Sequence, residues 1–137
     1  MGYQNTLIAV AEDCPATRGT VPASRGGRKT VAVHHYELIT ERPYGRTQED
    51  VLFETWLRQQ GDLTPADADI ARLREQFFAT PRACLRASPL PKKFGWGLHY
   101  DAEGRIALYG VESEEYQRLA SGKATAKLAP PTPNKNP

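Results

Sequence analysis

From Phe94 to Gly110 the chain reads FGWGLHYDAEGRIALYG, and its alternation of bulky apolar residues with small or polar ones admits one register for a β-hairpin. Successive side chains of a strand point to opposite faces, so a slip of one residue would exchange the faces. A three-residue loop, Ala102-Glu103-Gly104, with Gly104 in the left-handed position of a G1 bulge, sets Asp101 opposite Arg105. Tyr100 then faces Ile106, Leu98 faces Leu108 and Trp96 faces Gly110. Phe94, Trp96, Leu98, Tyr100, Ile106 and Leu108 share one apolar surface. A four-residue loop would scatter them over both faces. The opposite face carries Gly95, Gly97 and His99 against Tyr109 and Ala107, which leaves backbone bare.

Such an apolar surface needs a cover, and the chain supplies amphipathic helices. Thr47 precedes Asp50 by three residues in the manner of a capping box, and Leu52, Phe53, Trp56 and Leu57 follow on one face before Gly61. Thr64 and Pro65 open a second helix, with Asp67 in its first turn and Ala66, Ile70, Leu73 and Phe77 as its stripe, and Thr80-Pro81 closes it. Residues 30–41 fit a helix capped by Thr30, the reading preferred here, although Val31, Val33 and His35 also alternate like a strand. Ser113 caps a short helix that begins with Glu114 and Glu115. Thr6–Ala11 reads as a buried strand and Ala83–Ala87 as a short one ended by Pro89 and Pro91; between them, residues 15–29 form a long irregular connection.

Together these patterns predict an α+β fold: an antiparallel sheet of about four strands, covered on one face by amphipathic helices near 47–60 and 65–79. The length of 137 residues suits one domain, placed at 1–122. Residues 123–137, rich in Pro and Lys, read as a disordered tail.

Charge narrows the functional classes. The net charge is only +2, but residues 14–36 hold Arg18, Arg25, Arg28 and Lys29 with no acid, and residues 76–100 hold Arg82, Arg86, Lys92 and Lys93 with no acid. Basic segments of this kind either gather into an anion-attracting patch or neutralise acidic neighbours, and a near-zero total favours neutralisation. No apolar run approaches the ~18 residues of a membrane span, so a soluble, cytoplasmic protein without membrane contact is expected. The two cysteines, Cys14 and Cys84, and three histidines lack metal-ligand spacing, so neither a metal nor a cofactor is expected.

The segments VAEDCP at 10–15, GGRKTVA at 26–32, EDVLFE at 49–54, CLRASPLPKKFGWG at 84–97 and ALYGVESEEY at 107–116 resemble a family of small bacterial single-domain proteins classed as a domain of unknown function. The resemblance spans roughly residues 3–120. It implies a bacterial origin and a single domain, and it carries no activity, cofactor or catalytic residue onto this chain.

Function must therefore be read from the residues. Two glycines inside a strand signal close approach of another backbone, a helix or a ligand. If a helix does not fill that side, Gly95 and Gly97 floor a shallow site edged by His99 and Tyr109, with Arg86, Lys92 and Lys93 attracting an anion. The expectation is a non-catalytic module binding an anionic small molecule or a protein partner. A cysteine-dependent hydrolase or transferase using Cys14 with a histidine such as His35 is the alternative. Single-stranded nucleic acid could be read by Lys92, Lys93, Phe94, Trp96 and Tyr100, but those rings are needed for the core. The run Arg25-Gly26-Gly27-Arg28-Lys29 could wrap an anion with backbone N–H groups, and it is also ordinary for a flexible loop.

Overall fold

The computed structural model describes residues 3–24, 26–60, 67–121 and 125–128. Its hairpin has the register that the alternation predicts: β2 (Trp96–Tyr100) and β3 (Ile106–Gly110) pair Trp96 with Gly110, Leu98 with Leu108 and Tyr100 with Ile106. Gly104 adopts φ 79°, the left-handed conformation that the tight loop demands. The first strand, β1 (Thr6–Ala9), lies antiparallel to β2, with Leu7 opposite His99. The antiparallel sheet therefore has three strands, in the order β3-β2-β1, rather than about four.

Two expectations about the remaining strands change. Ala83–Ala87 is not a strand; Leu85–Ala87 forms a 3-10 turn. Ser88 then caps α4 (Pro89–Lys93), accepting the Leu90 N–H at 3.2 Å, so the prolines open a helix here rather than end a strand. Within the stretch read as a tail, Thr125–Leu128 forms β4 and pairs with the outer edge of β1 in parallel, Thr6 with Thr125 and Ala9 with Leu128.

The helical cover also differs from expectation. Val31–Glu41 is a helix, α1, capped by Thr30. It supplies Ala32, Leu38 and Ile39 to a core shared with Ile8, Leu98, Tyr100 and Ile106 of the sheet and Leu90 of α4. Helix α2 (Gln48–Gln59), with the expected capping box of Thr47 and Asp50, adds Val51 to that core. Its aromatic residues instead meet those of α3 (Asp67–Phe78): Phe53, Trp56 and Phe77 have ring centroids 5.6–5.9 Å apart. The rings satisfy one another, so α1 and α4 rather than α2 and α3 lie next to the sheet. The expected start of α3 at Thr64 and Pro65 lies outside the described residues.

On the other sheet face, α5 (Glu114–Ser121) lays Tyr116 against Leu7, Ala9 and Val10. The first part of the 15–29 connection is docked on the hairpin: Thr20 N–H donates to Phe94 C=O at 2.8 Å, Trp96 Nε1 donates to Thr20 C=O at 2.8 Å, and Gly19 N–H donates to Glu112 Oε1 at 2.8 Å.

Candidate functional site

The bare-backbone side of the hairpin is occupied. A Cβ on Gly97 would lie 2.6 Å from Cε2 of Tyr116, and one on Gly95, at φ 76°, would meet the Arg18 carbonyl. The floor expected at these glycines is thus covered by an aromatic ring and by the 15–29 connection. Only the edge of the expected site assembles. His99 Nδ1 lies 2.8 Å from the hydroxyl of Tyr44, which lies 2.9 Å from the hydroxyl of Tyr109. Tyr44 comes from the segment after α1 and sits at φ 57°, held by its N–H donating to Ile106 C=O at 2.8 Å. Burial first, then the Tyr109 hydroxyl, raises the Tyr44 pKa, and burial lowers that of His99, so Tyr44 and His99 are uncharged at neutral pH.

The basic residues expected beside this edge sit on the segment between α3 and β2. Lys92 and Lys93 end α4, and Lys93 lines a cavity with Thr30, Val31 and Phe94 at the start of α1. Arg86 belongs to the 3-10 turn. Cys14 and His35, the pair of the enzyme alternative, share no hydrogen bond among the described residues. Cys14 packs half-buried between the two cores, and His35 Nδ1 lies 2.9 Å from Ser88 Oγ.

A cleft of about 300 Å³ opens between α1, α2, α3 and the 82–89 segment. Leu52, Trp56 and Phe77 provide apolar walls, while His35, Thr55, Cys84 and Ser88 bring polar atoms. Burial, with a smaller contribution from His34, lowers the His35 pKa to about 4, so the ring is neutral at pH 7. Gln48, 1% exposed, secures the turn that carries Cys84: its Oε1 accepts from Leu85 N–H at 3.1 Å and from the Tyr100 hydroxyl at 2.8 Å. Arg82 stands at the cleft's edge with its guanidinium carbon 3.8 Å from the centroid of the Phe77 ring, and its Nε donates to Phe77 C=O at 2.9 Å. Thr55 is 5% exposed, and its Oγ1 is buried with no hydrogen-bond partner among the described residues.

Most of this constellation escapes a reading by residue pattern. Gln48, Val51 and Thr55 are spaced as one helical face, but with two polar members that face does not stand out as buried. Ser88 before Pro89 is the one local signal, as a helix cap followed by proline at the first position. Arg82 and Phe77 meet only because α3 ends and the chain turns back over it.

Among the described residues no group of His, Cys, Asp or Glu is placed to hold a metal ion, and no helix is long and apolar enough to cross a membrane. Comparison with curated proteins and with solved structures finds no match. Residues 1–130 match the model of a family of unknown function, DUF6157, and the chain belongs to that family.

Proposed function

We propose that the protein is a non-catalytic binding module whose cleft between α2, α3 and the 82–89 segment takes a small molecule with an apolar body and an anionic group. The observation that carries this reading is Thr55: a buried hydroxyl with no hydrogen-bond partner among the described residues, on a residue that lines the cleft beside Leu52 and Trp56, costs about 1–3 kcal/mol that a ligand's polar atom would recover. Leu52 and Trp56, both only partly buried, offer apolar surface to the apolar body. Arg82 is held over Phe77 through its Nε contact, which leaves its two terminal nitrogens to fork onto a carboxylate or sulfonate.

The chemistry favours binding over turnover. An imidazole with a pKa near 4 is a weak general base at neutral pH, and the Ser88 oxygen beside it already accepts the Leu90 N–H as a helix cap. A volume of about 300 Å³ is at the small end of ligand pockets, which suits a one- or two-ring molecule.

The test is a titration with 1-naphthoate followed by tryptophan fluorescence, with a thermal-shift measurement alongside. Saturable binding that raises the melting temperature, and that weakens about tenfold or more in Trp56→Ala and in Arg82→Gln, is the expected result. Binding of equal strength in the wild type and both variants would place the ligand elsewhere and end the proposal. Weak binding of 1-naphthoate with tight binding of a partner protein blocked by Trp56→Ala would reassign the cleft to a protein side chain.

A further inference from the structure

The run Gly26-Gly27-Arg28-Lys29 plays no part in that cleft. Gly26 and Gly27 adopt φ 56° and 77°, and a Cβ on either would meet nothing within 4 Å. Their role is the left-handed path itself, not close packing. That path delivers Arg28 and Lys29 to the entrance of α1, directly before its cap Thr30. Helix α1 has no acidic residue in its first turn, so the positive end of its dipole is uncompensated there. From the far end of α2, Arg58 and Gln59 line the opposite side of this open site.

The result is a cavity of about 420 Å³ walled by Arg28, Lys29, His34, Arg58 and Gln59. Each of the five brings N–H donors or a ring nitrogen, and none is a carboxylate. His34 is 6% exposed, and its Nδ1 is buried with no hydrogen-bond partner among the described residues. Nearby carboxylates neutralise part of the charge: Glu37 lies 3.0 Å from Lys29 Nζ and 3.8 Å from Arg58, and Glu41 lies 3.4 Å from Arg58. Arg28 makes no ion pair among the described residues, so among these groups the positive charges outnumber the negative ones. One planar fork would suffice for a carboxylate. Here donors come from a turn, from α1 and from α2, an arrangement suited to the several oxygens of a tetrahedral anion.

We propose that this cavity binds a phosphate-class oxyanion through Arg28, Lys29 and Arg58, with His34 as the buried fourth contact. The groups around His34 give the binding a pH dependence. Burial lowers its pKa, Lys29 and Arg58 lower it further and Glu37 opposes them, with His35 next to it in sequence and uncharged. A bound dianion reverses the sign of that surrounding field, so protonation of His34 and anion binding support each other. Sulfate, which does not titrate in this range, therefore binds more tightly as pH falls from 8 to 5.5.

The experiment is a calorimetric titration of the protein with inorganic phosphate, and separately with sulfate, at ionic strength held constant with chloride. One equivalent is expected, weakened about tenfold in Arg28→Gln and in Arg58→Gln and unchanged in Trp56→Ala. Arg28 is exposed on an open turn, so its variant folds even where His34→Gln does not. A response that chloride reproduces, or phosphate binding by Arg28→Gln equal to that of the wild type, overturns the proposal, as does sulfate affinity that is flat with pH while the wild type remains folded. Glycerol phosphate separates the sources: equal affinity assigns the cavity to the phosphoryl group of an organic ester, and preference for inorganic phosphate assigns it to the free ion.

Discussion

The ring of Tyr116 fills the space that a side chain at Gly97 would need, Cε2 standing 2.6 Å from the site of a Cβ, while the Tyr116 hydroxyl accepts the Val10 N–H at 2.9 Å. One residue of α5 thereby closes the central strand and satisfies a backbone donor at the end of β1. Gly97→Ala must push this ring off the sheet and should cost about 1–3 kcal/mol as overpacking. Tyr116→Phe keeps the ring but leaves the buried Val10 N–H unpaired, for about 1–2 kcal/mol. Urea denaturation of both variants measures this; a neutral Gly97→Ala would mean that α5 is not seated as described.

The same contact marks what can be read from residue order. Alternation along 94–110 specifies both the hairpin register and the presence of something close over the glycines, because the pleat leaves one solution. It does not say what approaches, since Tyr116 and Arg18 reach Gly97 and Gly95 only through the folded topology. The helices were legible from their caps, Thr30 and Thr47, whereas their partners were not: Phe53, Trp56 and Phe77 look like sheet cover in sequence and pack on one another in space. Ala83–Ala87 has a strand's short apolar composition, and the Gln48 carboxamide holds it as a turn. The edge formed by His99 and Tyr109 was visible. Tyr44, which joins them, was not, because nothing local in the sequence marks a tyrosine for a left-handed conformation.

Gln48 is a single acceptor for two buried donors, the Leu85 N–H and the hydroxyl of Tyr100, itself 0% exposed. Gln48→Leu preserves approximate volume and helix propensity yet strands both donors. The expected loss is about 3 kcal/mol, measured by chemical denaturation, and Tyr100→Phe in the same background should recover part of it because one stranded donor disappears. Additive losses in the double variant would show that the carboxamide does not bridge them.

Thr55 offers a test in which stability and binding move in opposite directions. Thr55→Val replaces a buried hydroxyl that has no hydrogen-bond partner among the described residues by a methyl of similar size, so the ligand-free protein should gain about 1 kcal/mol. Affinity for 1-naphthoate should fall if the hydroxyl meets the ligand. Thermal denaturation and the fluorescence titration read the two effects on one sample, and a destabilised Thr55→Val would mean that the hydroxyl already has a partner in solution.

His35 sets the protein's response to acid. Its ring is 5% exposed and bonded to Ser88, and burial lowers its pKa to about 4 from 6.5 in the unfolded chain. The unfolded state therefore takes up a proton at a higher pH than the folded state does. The stability due to the neutral buried ring is fully present above pH 6.5 and is lost as pH falls toward 4. A shift of this size corresponds to about 3 kcal/mol between pH 7 and 4. His35→Asn, whose amide can still meet Ser88 Oγ, should flatten that segment of the stability–pH curve even if it lowers the curve as a whole. Urea midpoints taken across pH 4–7.5 distinguish the two effects: parallel curves for wild type and variant would show that acid sensitivity arises at other groups, and convergence at low pH would assign it to His35.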